Sequence, residues 1–353
     1  MKKFYLIILS LGISVTAFAQ TPQLVKNINA NTAPDPYSHS YAQKGILYNS
    51  LLYFAAESNQ GVELWKTNGT TAGTLLTRDV FSFYPGNSSF PREFTMYGGN
   101  VYFFIGDTTA NTTGESKIFK MDVSGYISYA AGGLLHPQGM VLINNSFFFT
   151  GRVNSSSAGV ELLEFNILGG NTIVHDVFPG ADSSNPKNLT VKNDSLFFSA
   201  IGSIATGREL WVYANGNLTQ MDIKPGPGSS NPADLTVYNN ALFFNADNGT
   251  NGAELMKANV PGLSATVVKD INSGSNSSNP KNITVFNGNL YFSADDGTNG
   301  VELWKSDGIN VNTILFKDIN AFGDSNPGEA SGFVAVGSKL YFTADNGNDG
   351  IEV

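Results

Sequence analysis

The sequence predicts an all-β chain folded as a β-propeller of about seven four-stranded blades. Three observations predict it: a repeat of 46 to 50 residues, four strand-like runs per copy, and one run that is apolar on both faces. The clearest copy runs from Thr266 to Gly308. Its apolar anchor Leu290 has counterparts at Leu52, Val101, Phe147, Leu196, Leu242 and Leu340. A second anchor, the glutamate of Val-Glu-Leu-Trp, is read at Glu63, Glu115, Glu161, Glu209, Glu254, Glu302 and Glu352.

The elements follow in order along that copy. Val267–Ile271, Ile283–Phe286, Leu290–Ala294 and Val301–Lys305 are rich in β-branched and aromatic residues, and Gly, Asn, Asp, Ser and Pro separate them. The longest connector, Asn272–Asn282, carries Ser-Asn-Pro and is read as the crossing from the outer strand of one sheet to the inner strand of the next. Asn287-Gly288 joins the second and third runs, because both positions of a two-residue hairpin turn need positive φ. The Leu-Tyr-Phe run does not alternate, as expected of a sheet covered on both faces. On this scheme Leu24–Ile28 supplies the outer strand of the last blade, which otherwise stays incomplete. Copies two and three are the most degenerate, with Lys117-Ile118-Phe119 displacing the usual Leu-Trp-Lys.

The N-terminus reads as an export signal over residues 1–19. Lys2 and Lys3 precede an apolar run from Tyr5 to Val15, and Ala17-Phe18-Ala19 forms a small-x-small cleavage site before Gln20. That run falls short of the roughly 20 residues that span a bilayer. The propeller then occupies 20–353. The chain stops at Val353 inside a Val-Glu-Leu-Trp-type strand, which predicts a fragment with further sequence beyond.

The formal charge is −9, and cleavage would remove two lysines and no acids. An acidic chain without a Lys/Arg cluster argues against nucleic acid and against anionic membranes. There is no cysteine, so thiol chemistry and Cys-ligated metals are excluded, and an exported domain must rely on its core alone.

Val301–Gly308 (VELWKSDG), Val62–Thr74 (VELWKTNGTTAGT) and Arg208–Trp211 (RELW) resemble the signature of the ELWxxDGT repeat proteins, over essentially the whole mature chain. The resemblance implies a large exported or surface protein of Bacteroidetes-like bacteria. It implies no catalytic residues, since that family name describes a repeat.

Candidate chemistry is sparse. His39, His136 and His175 occupy non-equivalent repeat positions, and no hydrolase elbow, zincin or phosphate-loop motif is present. Trp65, Trp211 and Trp304 share a position filled elsewhere by Phe119, Leu163 and Met256, the mark of a packing site rather than a sugar platform. The loops after the Leu-Tyr-Phe run are the most suggestive feature. Asp295, Asp296 and Asn299 with Glu302, and Asp247 and Asn251 with Glu254, offer hard oxygen ligands at calcium-like spacing. The rival reading is that such Asx-Gly clusters only make turns. Asp79, Asp176, Asp222, Asp270 and Asp318 are read as ties to loop amides.

The sequence therefore predicts an exported, non-enzymatic binding or scaffold module at the cell surface or outside it. Its ligand would be a protein or glycan, with no cofactor unless calcium. The rival functions are a calcium-stabilised adhesion or matrix protein, and a propeller enzyme acting on polysaccharide through two uniquely placed carboxylates.

Overall fold

Strand pairing in the computed structural model is antiparallel between chain neighbours; copies one, four, five and six each build a four-stranded sheet, while copies two and three share a single sheet of seven strands. Residues 25–28, 45–58, 60–78, 88–106, 115–259 and 263–353 are described. The expected signal segment, Leu24, His39 and Asp79 lie outside them. The chain forms two units, one built on the residues up to Met140 with Val153–Ser155, the other on Val141–Arg152 and Ser156–Val353.

In the first unit, β1 (Ile46–Tyr48), β2 (Leu51–Ser58), β3 (Gly61–Thr67) and β4 (Leu75–Arg78) form one sheet in chain order. Then follow β5 (Arg92–Tyr97), β6 (Asn100–Ile105), β7 (Glu115–Met121) and β8 (Ile127–Ile143), whose residues up to Leu135 pair with β7. The end of β8 belongs to the second unit, with β9 (Ser146–Val153), β10 (Glu161–Asn166) and β11 (Asn171–His175).

Three complete four-stranded sheets come next in that unit. They are β12 (Lys187–Lys192), β13 (Ser195–Ser203), β14 (Gly207–Ala214) and β15 (Asn217–Met221); β16 (Ala233–Tyr238), β17 (Ala241–Asp247), β18 (Ala253–Asn259) and β19 (Ser264–Lys269); and β20 (Lys281–Phe286), β21 (Asn289–Asp295), β22 (Val301–Ser306) and β23 (Ile314–Lys317). The last copy is two short pairs, β24 (Val334–Val336) with β25 (Lys339–Tyr341), and β26 (Ala344–Asp345) with β27 (Ile351–Glu352).

The cores lie between consecutive sheets. Phe197, Leu210, Val212 and Met221 of one sheet pack on Leu242, Phe244, Met256 and Ala258 of the next. Phe243 and Leu255, from that second sheet, pack on Leu290, Phe292 and Trp304 of the third. A strand in the middle of such a stack has no wet face, which is why the Leu-Tyr-Phe-type strands do not alternate. Phe147, Phe149, Phe197, Phe198, Phe244 and Phe292 are all fully buried.

The expected hairpins are present, with φ of 44° and 70° at Asn287 and Gly288 and 45° and 56° at Asn239 and Asn240. The Ser-Asn-Pro connectors do cross between sheets. Their asparagines Asn185, Asn231, Asn279 and Asn326 sit at φ of 45° to 48°, a region asparagine tolerates better than most residues. After the first three of these connectors the first strand opens with a bulge, as between Lys281 and Thr284, and the next positive φ falls on Asn188, Asp234 or Asn282. First strands of successive sheets are neighbours. Thr236 Oγ1 donates to the Ile283 carbonyl at 2.8 Å, and the Asn282 amide donates to Asp234 Oδ1 at 3.1 Å. Gly308 shows why the repeat signature ends in glycine: its φ is +88°, and a Cβ there would stand 2.6 Å from the Phe243 ring.

The N-terminal segment departs from expectation, since Val25–Ile28 is in no sheet. It nonetheless takes, against the first sheet, the place of a preceding copy's outer strand. Lys26 Nζ donates to the Thr74 carbonyl at 2.7 Å, as Lys269 Nζ does to Thr313 at 2.9 Å. Ile28 packs on Phe54, Ala56 and Trp65, as Ile271 packs on Phe292, Ala294 and Trp304.

Candidate functional site

The recurring glutamate is the organising group of five copies, at Glu63, Glu161, Glu209, Glu254 and Glu302. Glu209 is fully buried in β14. Its Oε2 accepts the Ile223 amide at 2.8 Å and the Ser230 hydroxyl at 2.6 Å, and its Oε1 accepts the Ser230 amide at 2.9 Å. One carboxylate thus holds both ends of the connector that leaves its own sheet. Glu161 does the same with Val177 and Ser184, Glu254 with Ile271 and Ser278, and Glu302 with Ile319 and Ser325. Glu63 accepts both the amide and the hydroxyl of Ser89. Burial pushes Glu161, Glu209 and Glu254 above the ordinary glutamate range, and the serine and backbone donors pull only part of the way back.

Copy two requires a correction. Ile105 pairs with Lys117 and Phe103 with Phe119, whereas Ala294 pairs with Glu302 and Phe292 with Trp304. Lys117 therefore stands at the glutamate position, and Glu115 lies two residues before it. A shift of two keeps a residue on the same face of a strand, so both placements satisfy the alternation. Glu115 instead accepts the Gly133 amide at 3.1 Å. Glu352 keeps the repeat register, opposite Ala344, and is exposed.

The expected calcium-like loops close on themselves. Asp295 Oδ1 accepts the Gly297 amide at 2.7 Å, and Asp296 Oδ1 accepts the amides of Thr298 and Asn299 at 2.9 and 2.8 Å. Burial raises the Asp296 carboxyl, but the Asn299 and Thr298 donors and its own backbone amide together outweigh it and hold it below the usual range. Asp247 accepts the Gly249 amide at 2.6 Å and pairs with Lys224, and Asn251 bonds Asn248. Glu254 and Glu302 are occupied in the connector ties. Among the described residues, no three acidic or histidine side chains converge as a metal-ligating group.

The aspartates read as ties are uneven, and Asp318 Oδ1 is buried without a hydrogen-bond partner. Asp176 and Asp270 each accept the amide four residues on, from Gly180 at 3.2 Å and Gly274 at 3.1 Å. Trp65 and Trp304 are buried, and half-buried Trp211 donates its indole N–H to the Ala200 carbonyl at 3.1 Å, all as a packing position requires. His136 takes the asparagine place of Ser-Asn-Pro, at φ 51°. His175 bonds Glu164 at 3.0 Å and lies against Phe148 and Tyr213, two sheets meeting there.

Two cavities open beside the Ser-Asn-Pro connectors that lead into the last two copies. One of about 290 Å3 is lined by Asn279, Lys281, Ser293, Asp295, Val301 and Glu329, among others. One of about 280 Å3 repeats it a copy later, at Asn326, Glu329, Thr343, Asp345 and Ile351. Sequence reading missed both, because they belong to positions that turns and a bulge bring together.

No family model and no curated protein matches the chain. Solved structures do. A prolyl endopeptidase structure matches with a TM-score of 0.55 and 12% identity, over 86% of this chain and 46% of that one. Prolyl oligopeptidase B from Galerina marginata matches with a TM-score of 0.51 and 8% identity, over 86% and 47%. The β-propeller domain of the trilobed protease from Pyrococcus furiosus gives 0.47 and 9%, over 86% and 91%. The chain spans about half the length of the two oligopeptidase-type chains. At these identities the likeness speaks to fold alone, and the fold is a β-propeller.

Proposed function

We propose that this propeller is a non-enzymatic binding or scaffold module, exported and working at the cell surface or outside the cell. One observation carries the reading: the carboxylates that recur through the chain are spent on the fold. Glu161, Glu209, Glu254 and Glu302 are fully buried and saturated by amide and hydroxyl donors. The loop aspartates Asp295 and Asp296 hold their own turns. A polysaccharide hydrolase needs two carboxylates free to face a bond, one as acid and one as base or nucleophile. What the repeats leave for a partner is a set of turns and cavities on a rigid frame, the usual place for recognition.

The test is a panel of glycans and peptides incubated with the purified chain, scored for retention and for products. Retention of an unchanged ligand is the expected result. New reducing ends or peptide fragments that grow with protein concentration would overturn it. Export is tested separately by expressing the full sequence in a bacterial host and following the N-terminus of the product, which is expected to begin at Gln20.

A further inference from the structure

We propose that the cavity between Asn279, Ser293, Asp295, Val301 and Glu329 is a receptor for an arginine side chain of a partner protein, which rests on the binding-module reading. The argument comes from the same position in other copies, where the chain supplies the arginine itself.

Arg208 stands where Val301 stands, since Ile201 pairs with Arg208 as Asp295 pairs with Val301. Its Nη1 donates to the carbonyls of Asn185 and Ser199 at 2.9 and 3.0 Å and approaches Ser199 Oγ at 3.4 Å. Asn185 and Ser199 correspond to Asn279 and Ser293. Arg92 reaches the same space from a different residue, the one equivalent to Lys281. Its Nη1 donates to the Gly106 carbonyl at 2.6 Å and its Nη2 to Ser116 Oγ at 3.0 Å. Gly106 and Ser116 correspond to Asp295 and Val301. Two arginines from different positions thus enter one repeat site, and its walls supply carbonyl and hydroxyl acceptors to the guanidinium fork, to Arg208 through Nη1 alone and to Arg92 through Nη1 and Nη2.

At the cavity the chain provides no such fork. Val301 cannot reach across, and Lys281 stays exposed at the rim. Two carboxylates have been added to the lining, Glu329 and Asp295, of which Asp295 uses one oxygen, Oδ1, to hold its own turn. They favour a cation and charge-assisted hydrogen bonds. They also disfavour free arginine, whose α-carboxylate would enter beside them, so the occupant is a side chain within a peptide. The copy that follows repeats the arrangement with Glu329 and Asp345 and no basic residue in its lining.

The experiment titrates N-acetyl-L-arginine amide into the isotopically labelled full chain and follows backbone amide shifts. Saturable shifts at 278–282, 293–295 and 326–329 are expected, with the neutral citrulline analogue giving none. Val301→Arg, which rebuilds the internal occupant, is expected to weaken binding by about tenfold or more while preserving the fold. Glu329→Gln, at an exposed position, is expected to weaken it severalfold. Equal binding of the citrulline analogue, of free arginine or of N-acetyl-lysine amide, or binding undiminished by Val301→Arg, would overturn the assignment. Shifts elsewhere alone would do so too, yet leave the binding-module reading intact; product release in the panel assay would end that reading and leave this titration unaffected.

Discussion

The connector from β15 to β16 and the stretch from β7 into β9 occupy the same place in the repeat and end differently. In the first, Glu209 gathers the Ile223 amide and both donors of Ser230, and eleven residues fold into a loop that carries the chain to a new sheet. In the second, Lys117 replaces the glutamate and Leu135 replaces the serine, and the chain runs on as one strand of 17 residues. Glu115 pairs with Leu135 and Ser116 with Leu134 where a loop would otherwise begin. Losing both partners of the tie removes the reason to leave the ladder, and the freed backbone groups find partners in a longer sheet. In these two segments the loop goes with the buried carboxylate and the continuous strand with its absence.

Breaking a tie should have the largest effect. Glu209→Ala leaves buried amide and hydroxyl donors unmet and should cost about 4 kcal/mol in denaturant unfolding. Ser230→Ala should cost about 2 kcal/mol, and the double variant should fall short of the sum by about 1 kcal/mol or more. Additive losses would mean that the two residues act independently.

Building a tie in copy two sharpens the comparison from the other side. Leu135→Ser alone should cost about 2 kcal/mol, and adding Lys117→Glu should recover about half of it. Hydrogen exchange at residues 132–136 should quicken in the double variant as the strand gives way to a loop. Unchanged protection there would separate the tie from the loop.

The smaller effects concern charge. Burial raises Glu161, Glu209 and Glu254, so the native chain holds their protons more tightly than the unfolded chain does. The stability from that difference is present below the unfolded glutamate range and is lost as pH rises through the elevated native values. Over roughly pH 4 to 7, Glu209→Gln should therefore flatten part of the decline in unfolding free energy. A steeper decline in the variant would reverse the sign. Smallest of all, calcium against a chelator should move the unfolding temperature by no more than about a degree, because Asp295 and Asp296 already bond their own turns. A shift of several degrees would place a metal in those loops.

Much of the fold was legible because its determinants are side chains at fixed intervals. The anchors at Leu290 and its counterparts, the Asn287-Gly288 turn and the doubly buried phenylalanines all follow from period and residue type. The register of copy two was not, since Glu115 and Lys117 share a face and only pairing separates them. The meaning of the glutamates was hidden for another reason: most of their donors are backbone amides, which carry no letter. Serine and glutamate recur in step, Glu254 with Ser278 and Glu302 with Ser325, and that covariation within one chain was the available signal. The arginine cavity was out of reach for a similar reason, since the acceptors at its equivalents include backbone carbonyls of a connector and of a strand.

Each tie joins a sheet to the connector that leaves it and reaches no farther. A copy therefore arrives with its own means of launching the next, and duplication or loss of one asks nothing of copies beyond its neighbours. A gene built this way can lengthen or shorten by recombination and still encode a chain that folds, while the copy with lysine at the glutamate position shares one sheet with the copy that follows.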